Sequence, residues 1–330
     1  MNTAATRERD LSGITPSGHL TLGNHLGALR RFVQRQGRRE GFYFIADLHA
    51  LTMPHDPVRH RLLTLSTGAL FLAAGLGADR SVVFVQSHVP AHVEMAYLLE
   101  CTAHVGELSR MIQFKEKGGR PGTRASLFTY PCLMAADILL YEARSVPVGG
   151  DQSQHVELTR DLAERFNVTY GETFVVPELV PAALAARVAD LQHPARKMSK
   201  SAPDDAAGVL RMLDSPDVIA SKIRRAVTDS DGEVRYDPET KPGVSNLLEI
   251  LAALVGSDPA GLAPRFRGYG PLKASVTDAV IAELGPIRRR HDELMADPAE
   301  LVRLLDAGAE RAHSAAATVL TRARKAMGVA

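Results

Sequence analysis

Two short segments of the chain contain residue types that suit phosphate chemistry. The first, Ser12–Ala28, has glycines at positions 13, 18, 23 and 27 around Pro16. Glycine lets a nucleotide approach the backbone closely, and the N–H groups at the start of a helix attract phosphate. The spacing is neither a Walker loop nor a Gly-x-Gly-x-x-Gly fingerprint. By itself, it fits an ordinary turn as well as a nucleotide site.

The second segment is Lys197–Ser201, with the sequence Lys-Met-Ser-Lys-Ser. The ammonium groups of Lys197 and Lys200 suit the negative charge that develops on a transferring phosphate chain. A basic loop of this length is, however, more often a solvated surface loop. The segment alone therefore leaves both interpretations open.

Apolar runs and helical patterns alternate in the first part of the chain. Phe42–Ala46 and Val82–Val85 are continuous apolar runs, typical of buried parallel strands, and Ser145–Val148 and Phe174–Val176 are weaker candidates. This alternation predicts a doubly wound, Rossmann-like parallel α/β sheet. Such sheets bind ligands at the carboxyl ends of their strands, and His49 lies just after one of the predicted strands.

Beyond about residue 205 the strand-like runs disappear and helical patterns dominate. Helices are predicted to begin at Ser215-Pro216 and at Asp297-Pro298, where a capping residue precedes a first-turn proline. Gly308 is predicted to weaken or end the second of these helices, and Gly328 to stop the last helix.

This change of pattern predicts two domains. Residues 1–205 would form a Rossmann-like catalytic domain with Lys197–Ser201 at its end, and residues 206–330 an α-helical domain. A chain of 330 residues is long enough for both.

The overall composition excludes several classes of protein. The 39 basic and 38 acidic residues nearly cancel, so the chain is not a globally basic nucleic-acid binder. Cys101 and Cys132 fit neither a metal knuckle nor a redox pair, and we expect no protein-bound metal site and no tightly bound cofactor. Without an apolar run of roughly 20 residues or a secretory signal, the chain is expected to be cytoplasmic and not membrane-bound.

Taken together, the two segments resemble the signature motifs of class I aminoacyl-tRNA synthetases. Thr21–Asn24 aligns with their His-Ile-Gly-His motif, and Lys197–Ser201 is their Lys-Met-Ser-Lys-Ser motif, intact. The resemblance extends from about Leu11 to Gly328, and within this class the chain resembles the tryptophanyl-tRNA synthetases in particular. The stretches that indicate this subgroup are Gly106–Lys117, Thr129–Tyr141, Val146–Gly149 with Asp151-Gln152, Ala226–Ser230 and Lys241–Gly243.

The resemblance implies that the chain activates L-tryptophan with ATP, bound as its Mg²⁺ complex, and transfers it to tRNA(Trp). The residues it implies for ATP binding are Thr15, Pro16, Ser17, Gly23, Asn24, Gly149, Gly150, Asp151, Val188 and Lys197–Ser201. Those it implies for phosphate contacts and catalysis are Lys117, Lys197, Lys200, Ser199 and Ser201. Catalysis would consist mainly of positioning and charge stabilisation, because the substrate carboxylate is already a nucleophile.

Selection of the amino acid is expected to depend on Asp137. Tyr130, Met134 and Asp137 follow one another at roughly i, i+4, i+7 spacing on a predicted helix. By pattern alone, Met134 fits a core position and Asp137 a helix cap. The resemblance instead implies that the Asp137 carboxylate accepts the indole N–H of tryptophan. The other tryptophan contacts that it implies are Leu11, His49, Tyr130, Met134, Val146, Val148 and Gln152.

Three positions depart from the family pattern. Leu11 stands where an aromatic residue is common, Thr15 where a longer polar residue is common, and Gly150 where an acidic residue is common. We expect these departures to affect ATP contacts and the discrimination of tryptophan analogues. His92, like the other single histidines, is expected to be a surface or structural group.

The resemblance also implies partners. The helical domain would read the anticodon of the tRNA, and the protein would be a homodimer. Two alternatives remain: a tyrosyl-tRNA synthetase, since a phenol also donates a hydrogen bond to a carboxylate, and a synthetase-like RNA-binding or regulatory protein without catalytic activity.

Overall fold

The computed structural model describes residues 9–148, 153–181 and 188–329. Within these ranges, five parallel strands form one sheet in the order β3-β2-β1-β4-β5. This confirms the predicted Rossmann-like α/β class. The order reverses between β1 and β4, the kind of position at which open α/β sheets bind ligands. The strands are β1 (Arg9–Ile14), β2 (Glu40–Ile45), β3 (Ser81–Val85), β4 (Ser145–Val148) and β5 (Glu178–Pro181).

Helices cover both faces of the sheet. In chain order, the described helices are α1 (Leu22–Asn24), α2 (Arg30–Arg35), α3 (Asp47–Ala50), α4 (Pro57–Ala73), α5 (Ala91–Glu100), α6 (Val105–Leu108), α7 (Ile112–Lys117), α8 (Ala125–Leu139), α9 (Ser153–Tyr170), α10 (Pro216–Arg224), α11 (Pro242–Val255), α12 (Pro259–Leu262), α13 (Tyr269–Ala296) and α14 (Pro298–Met327). A π-helical turn, His25–Leu29, joins α1 to α2.

Alternate residues of the central strands point into two separate apolar cores, as the period of two along a strand requires. Tyr43 and Ile45 of β2 pack with side chains of α4, α11 and α13. Phe42 and Phe44 of the same strand pack with α5, α8, α9 and α14. Both faces of β2 are therefore buried, which explains why its sequence is continuously apolar rather than alternating.

The prediction of a strand at Phe174–Val176 is wrong, because β5 begins only at Glu178. The side chain of Asn167, at the end of α9, forms hydrogen bonds with backbone groups of this segment that a strand would use to pair with its neighbour. Its amide oxygen accepts hydrogen bonds from the backbone N–H of Thr173 (3.0 Å) and Phe174 (2.8 Å), and its amide nitrogen donates to the carbonyl of Phe174 (2.9 Å).

Gly308 was predicted to weaken its helix or to end it, and the structure contradicts the second of these outcomes. α14 continues through this residue to Met327, where Gly328 stops it in the left-handed conformation (φ 76°), as predicted. Gly308 lies where α14 crosses β3: a Cβ atom at this position would lie 1.8 Å from the carbonyl oxygen of Val83. The glycine is therefore explained by the close approach of helix and strand, not by a helix end.

The helical second part of the chain packs directly on the first. Leu301 and Leu305 of α14 share a core with α4, and Ala312 and Ala316 share the other core with α5 and α8. Because both parts of the chain contribute to the same two cores, this packing does not test the domain boundary near residue 205, which remains a prediction.

Within the described residues, no single helix is both long and apolar enough to span a membrane. Pro242–Val255 and Pro259–Arg265 meet that test only as a pair, and they are bent by 99° at their junction.

Candidate active site

A cavity of about 570 Å³ opens at the carboxyl end of β1. This volume lies within the usual range of small-molecule sites, about 300–1,000 Å³. The structure brings together at this cavity many of the residues predicted from the sequence: Leu11, Thr15, Ser17, Asn24, His49, Lys117, Tyr130, Met134, Asp137 and Lys200.

Other predicted residues lie beside the cavity rather than on its wall. Val188 and Met198 are buried next to Gly23, where a Cβ atom would lie 3.5 Å from Val188 and 4.0 Å from Met198. Pro16 is also buried, whereas Lys197, Ser199 and Ser201 are exposed. The predicted positions Gly149, Gly150, Asp151 and Gln152 lie outside the described residues, and for Val146 and Val148 only the backbone of β4 is described.

Thr21–Asn24, the segment aligned with the first signature motif, forms a capping box at the start of α1. The backbone N–H of Asn24 donates to Thr21 Oγ1 (3.3 Å), and Asn24 Oδ1 accepts from the backbone N–H of Thr21 (3.0 Å). The capping box opens the helical segment at the wall of the cavity, with Asn24 among the lining residues. Where the motif has histidines, this chain has Thr21 and Asn24, and these two residues cap the helix.

Lys200 of the second segment reaches into the cavity and contacts the first. Its ammonium group donates a hydrogen bond to the carbonyl oxygen of Thr15 (2.6 Å). The backbones of the two segments also approach each other closely. A Cβ atom at Gly18 would lie 2.2 Å from the carbonyl oxygen of Lys200. Only glycine allows this approach at position 18. The two predicted phosphate-binding segments are therefore in direct contact.

Burial lowers the pKa of Lys200 from 10.5 to about 8. The side chain must be charged to attract phosphate, so we expect kcat/KM for ATP to fall as the pH rises through about 8. Because kcat/KM reports the free enzyme, the profile would show the pKa of Lys200 before ATP binds. In a Lys200→Arg variant this decline should disappear, since arginine stays protonated. Comparing the two pH profiles of pyrophosphate exchange tests the assignment, and an identical decline in both would contradict it.

Asp137 lines the cavity, and its carboxylate accepts three hydrogen bonds from described side chains. Its side chain is 3% exposed. One carboxylate oxygen, Oδ1, accepts hydrogen bonds from Gln86 Nε2 (2.7 Å) and His92 Nδ1 (2.6 Å). The other, Oδ2, accepts one from His49 Nε2 (2.8 Å). A carboxylate offers about four acceptor positions. Counting the hydrogen bonds from the described residues, one position remains on Oδ2, the oxygen that lies beside the cavity-lining His49.

These contacts also keep Asp137 ionised. Burial raises the pKa of its carboxyl group, but the charge of His49 and the hydrogen bonds from His49 and His92 outweigh burial, so the pKa lies below its ordinary value. Asp137 is thus an anionic hydrogen-bond acceptor at the cavity wall.

Behind Asp137, a chain of hydrogen bonds fixes the orientation of His92. His92 is completely buried, and its Nε2 lies 2.8 Å from the hydroxyl oxygen of Tyr141. Because Nδ1 must donate to Asp137, Nε2 accepts the hydroxyl proton of Tyr141. His92 is a structural group, as expected, but its partner is the carboxylate expected to bind the substrate. The hydrogen bonds that connect Gln86, His92 and Tyr141 to Asp137 could not be predicted from the sequence, because no spacing pattern links these residues.

Tyr130 has a hydrogen-bond partner that the sequence did not indicate. Its hydroxyl oxygen lies 2.5 Å from His155 Nε2, and His155 also lines the cavity. Burial raises the pKa of Tyr130 to about 12, so its hydroxyl stays protonated at neutral pH and can donate a hydrogen bond.

This fold has two contacting segments, both predicted to bind phosphate, at the carboxyl edge of a parallel sheet, and the chain matches a known family. Residues 5–284 match the family model described as tRNA synthetases class I (W and Y). The fold and site therefore define a class I aminoacyl-tRNA synthetase.

Individual relatives indicate which family within this class the chain belongs to. Tryptophan–tRNA ligase 1 of Streptomyces coelicolor is 51% identical over 327 residues, which cover 97% of each chain. The tryptophanyl-tRNA synthetase of Mycoplasma pneumoniae has a similar structure, with a TM-score of 0.88, 35% identity and 98% of each chain covered. That of Campylobacter jejuni, solved with ADP and tryptophan, gives a TM-score of 0.84 at 33% identity, over 97% of this chain and 99% of the other. The chain belongs to the tryptophanyl-tRNA synthetase family.

Proposed function

We propose that the chain is a tryptophan–tRNA ligase, which forms tryptophanyl-adenylate and pyrophosphate from L-tryptophan and ATP and then esterifies tRNA(Trp). One observation carries the proposal: a buried, ionised Asp137 with one acceptor position left lies in the same cavity as Lys200. An indole N–H is a donor only, so it fits the remaining position on Oδ2.

In the activation step, an oxygen of the tryptophan carboxylate forms a bond to the α-phosphorus of ATP. The bond from that phosphorus to the bridging oxygen breaks, and pyrophosphate leaves with the electron pair. Lys200 and Lys117, both at the cavity, would stabilise the charge on the phosphates, and Lys197 would join them when ATP is bound. In the transfer step, a ribose hydroxyl at the end of the tRNA attacks the adenylate carbonyl, and AMP leaves.

Magnesium fits this site as part of the nucleotide substrate. Among the described residues that line the cavity, Asp137 is the carboxylate, and its oxygens already accept three hydrogen bonds. Mg²⁺ prefers oxygen ligands and keeps several waters, so the ATP phosphates would hold it and it would enter as MgATP.

The proposed roles of the remaining residues follow the resemblance. Pro16, Ser17, Gly23 and Asn24 would contact ATP from the first segment, and Ser199 and Ser201 from the second. Tyr130, Met134, His49 and Leu11, which line the cavity, would surround tryptophan. The helical part beyond residue 205 would contact the tRNA anticodon, and the enzyme would work in the cytoplasm.

A charging assay tests the complete reaction. The chain is incubated with radiolabelled tryptophan, MgATP and a transcript of tRNA(Trp), and label in precipitated RNA is counted. We expect ATP-dependent label that mild alkali releases, because the product is an ester. Label that appears with tyrosine and its tRNA instead would support the tyrosyl alternative, and no label with either would support the non-catalytic one.

We also propose that the active form is a homodimer. Exposed apolar side chains follow one another along α5, α6 and α7: Val93, Tyr97, Val105 and Ile112, with Tyr97 65% exposed. Val93 and Tyr97 are four residues apart and therefore lie on one face of α5. A second copy of the chain would bury this apolar surface.

Light scattering of the purified protein tests this surface. We expect the wild-type protein to have twice the mass of one chain, and Tyr97→Glu to shift the mass toward that of one chain. Val168→Glu changes an exposed apolar residue of α9 outside this set and should leave the dimer intact. A dimer that persists in Tyr97→Glu would place the interface elsewhere.

A further inference from the structure

A short antiparallel pairing joins the first phosphate-binding segment to the chain that follows the second. The backbone N–H of Leu22 donates to the carbonyl of Leu210 (2.8 Å), and that of Met212 donates to the carbonyl of Leu20 (2.9 Å). Between these bonds, Arg211 lies opposite Thr21, the N-cap of α1. The backbone thus brings Arg211 to the start of the helix at the cavity wall.

The side chain of Arg211 turns toward the residues just after Lys197–Ser201. Its Nη2 donates hydrogen bonds to the carbonyls of Pro203 (2.7 Å) and Ala202 (3.0 Å), and its Nη1 donates to the carbonyl of His19 (3.5 Å). Asp204 Oδ1 lies 3.7 Å away, on a side chain that is half exposed.

The side chain of Arg211 is 7% exposed. A buried cation that is compensated chiefly by neutral carbonyls contributes little net stability, because its desolvation offsets the contacts it makes. Its geometry is more informative: the planar fork of arginine presents donors on separate nitrogens and can span carbonyls on both sides, whereas the three donors of lysine share one nitrogen. Here the fork joins residue 19, within the first segment, to residues 202 and 203, which directly follow the second.

The opposite end of the second segment is fixed separately. The backbone N–H of Met198 donates to the carbonyl of Val188 (3.0 Å), the Met198 side chain is buried, and Lys197 pairs with Ala189. Ser199–Ser201 lies between this end and the carbonyls held by Arg211, and the carbonyl of Lys200 packs closely against Gly18. Lys200 lies at the middle of this stretch.

We propose that Arg211 is a positioning residue for ATP, which holds the end of the Lys197–Ser201 segment against residue 19 so that Lys200 reaches the cavity. This inference rests on the proposed function. Arg211 contacts neither the cavity nor substrate; it acts through the backbone of Ala202 and Pro203. Its loss should therefore weaken the use of ATP and leave tryptophan binding at Asp137 unchanged.

The test compares Arg211→Lys and Arg211→Gln with wild type and with Lys222→Met. Lys222 is the matched control: it is also a buried cation, and its ammonium group donates to Val209 (2.7 Å) and Asp214 (2.8 Å) of the same segment without contacting residues 202 or 203. For the Arg211 variants we expect KM for ATP to rise about tenfold, because one or two charge-assisted hydrogen bonds are lost. KM for tryptophan should stay at the wild-type value.

Hydrogen–deuterium exchange provides a measurement that needs no substrate. Backbone amides of residues 199–202 should exchange faster in Arg211→Lys than in wild type or Lys222→Met, when each protein is measured the same number of degrees below its own melting temperature. If the Arg211 variants match Lys222→Met in both KM for ATP and exchange, Arg211 only stabilises its own segment and the inference is overturned. If wild type activates no amino acid, the proposed function fails, while the exchange result still decides whether Arg211 holds the loop.

Discussion

Replacing Asp137 with asparagine is expected to lower kcat/KM for tryptophan activation about a thousandfold, since breaking one member of a buried charged network costs about 3–5 kcal/mol. Three side chains donate hydrogen bonds to the carboxylate of Asp137. An asparagine amide has one oxygen, and its NH₂ group would face at least one of these donors. The position that would accept the indole N–H would be lost at the same time.

Pyrophosphate exchange with saturating ATP measures this effect. Asp10→Asn is the matched control, because Asp10 is also a buried aspartate, paired with Arg39 (3.3 Å) at the amino end of β1, away from the cavity. We expect Asp10→Asn to leave kcat/KM close to wild type. A folded Asp137→Asn protein that activates tryptophan as efficiently as wild type would show that this carboxylate does not bind the substrate.

The second large effect is expected at His92. A leucine at this position would remove a donor from Asp137 Oδ1 and leave the buried hydroxyl of Tyr141 without its acceptor. Each unsatisfied buried group costs about 1–3 kcal/mol, so we expect kcat/KM for tryptophan to fall about a hundredfold. His92→Gln keeps an N–H donor and should restore part of the loss.

A tryptophan analogue separates positioning of Asp137 from general destabilisation. β-(3-Benzothienyl)alanine has a sulfur atom in place of the indole N–H, so it gains nothing from a correctly placed carboxylate. If His92 positions Asp137, His92→Leu should narrow the preference for tryptophan over this analogue, whereas a purely structural defect would lower activity on both substrates equally. Unchanged preference in a weakened His92→Leu enzyme would thus contradict a positioning role.

The parts of the fold that were predicted correctly depend on local patterns. Phe42–Ala46 indicates a strand because both faces of β2 are buried, and Gly328 indicates a helix end because its backbone is left-handed. The failures depend on partners distant in the chain. Gly308 looks like a helix breaker until β3 is placed against α14, and the apolar run Phe174–Val176 looks like a strand until Asn167 binds its backbone.

The same distinction applies to the site. Tyr130, Met134 and Asp137 share a helix, so their spacing along the chain predicts that they lie together. His92 is 45 residues from Asp137 and belongs to a different helix, so only the packing of α5 against α8 brings them into contact. Arg211 likewise reaches residue 19 across 192 positions of sequence. Residues that orient others are harder to predict because their partners, not their own type, reveal the role.

The proposed activation of tryptophan in this cavity is tested most directly by amino-acid-dependent ATP–pyrophosphate exchange. Purified enzyme is given ATP, Mg²⁺ and labelled pyrophosphate with tryptophan, with tyrosine or with no amino acid, and labelled ATP is measured. We predict rapid exchange with tryptophan and only background with tyrosine or without an amino acid. Exchange with tyrosine but not tryptophan, or no exchange with either, would contradict the account.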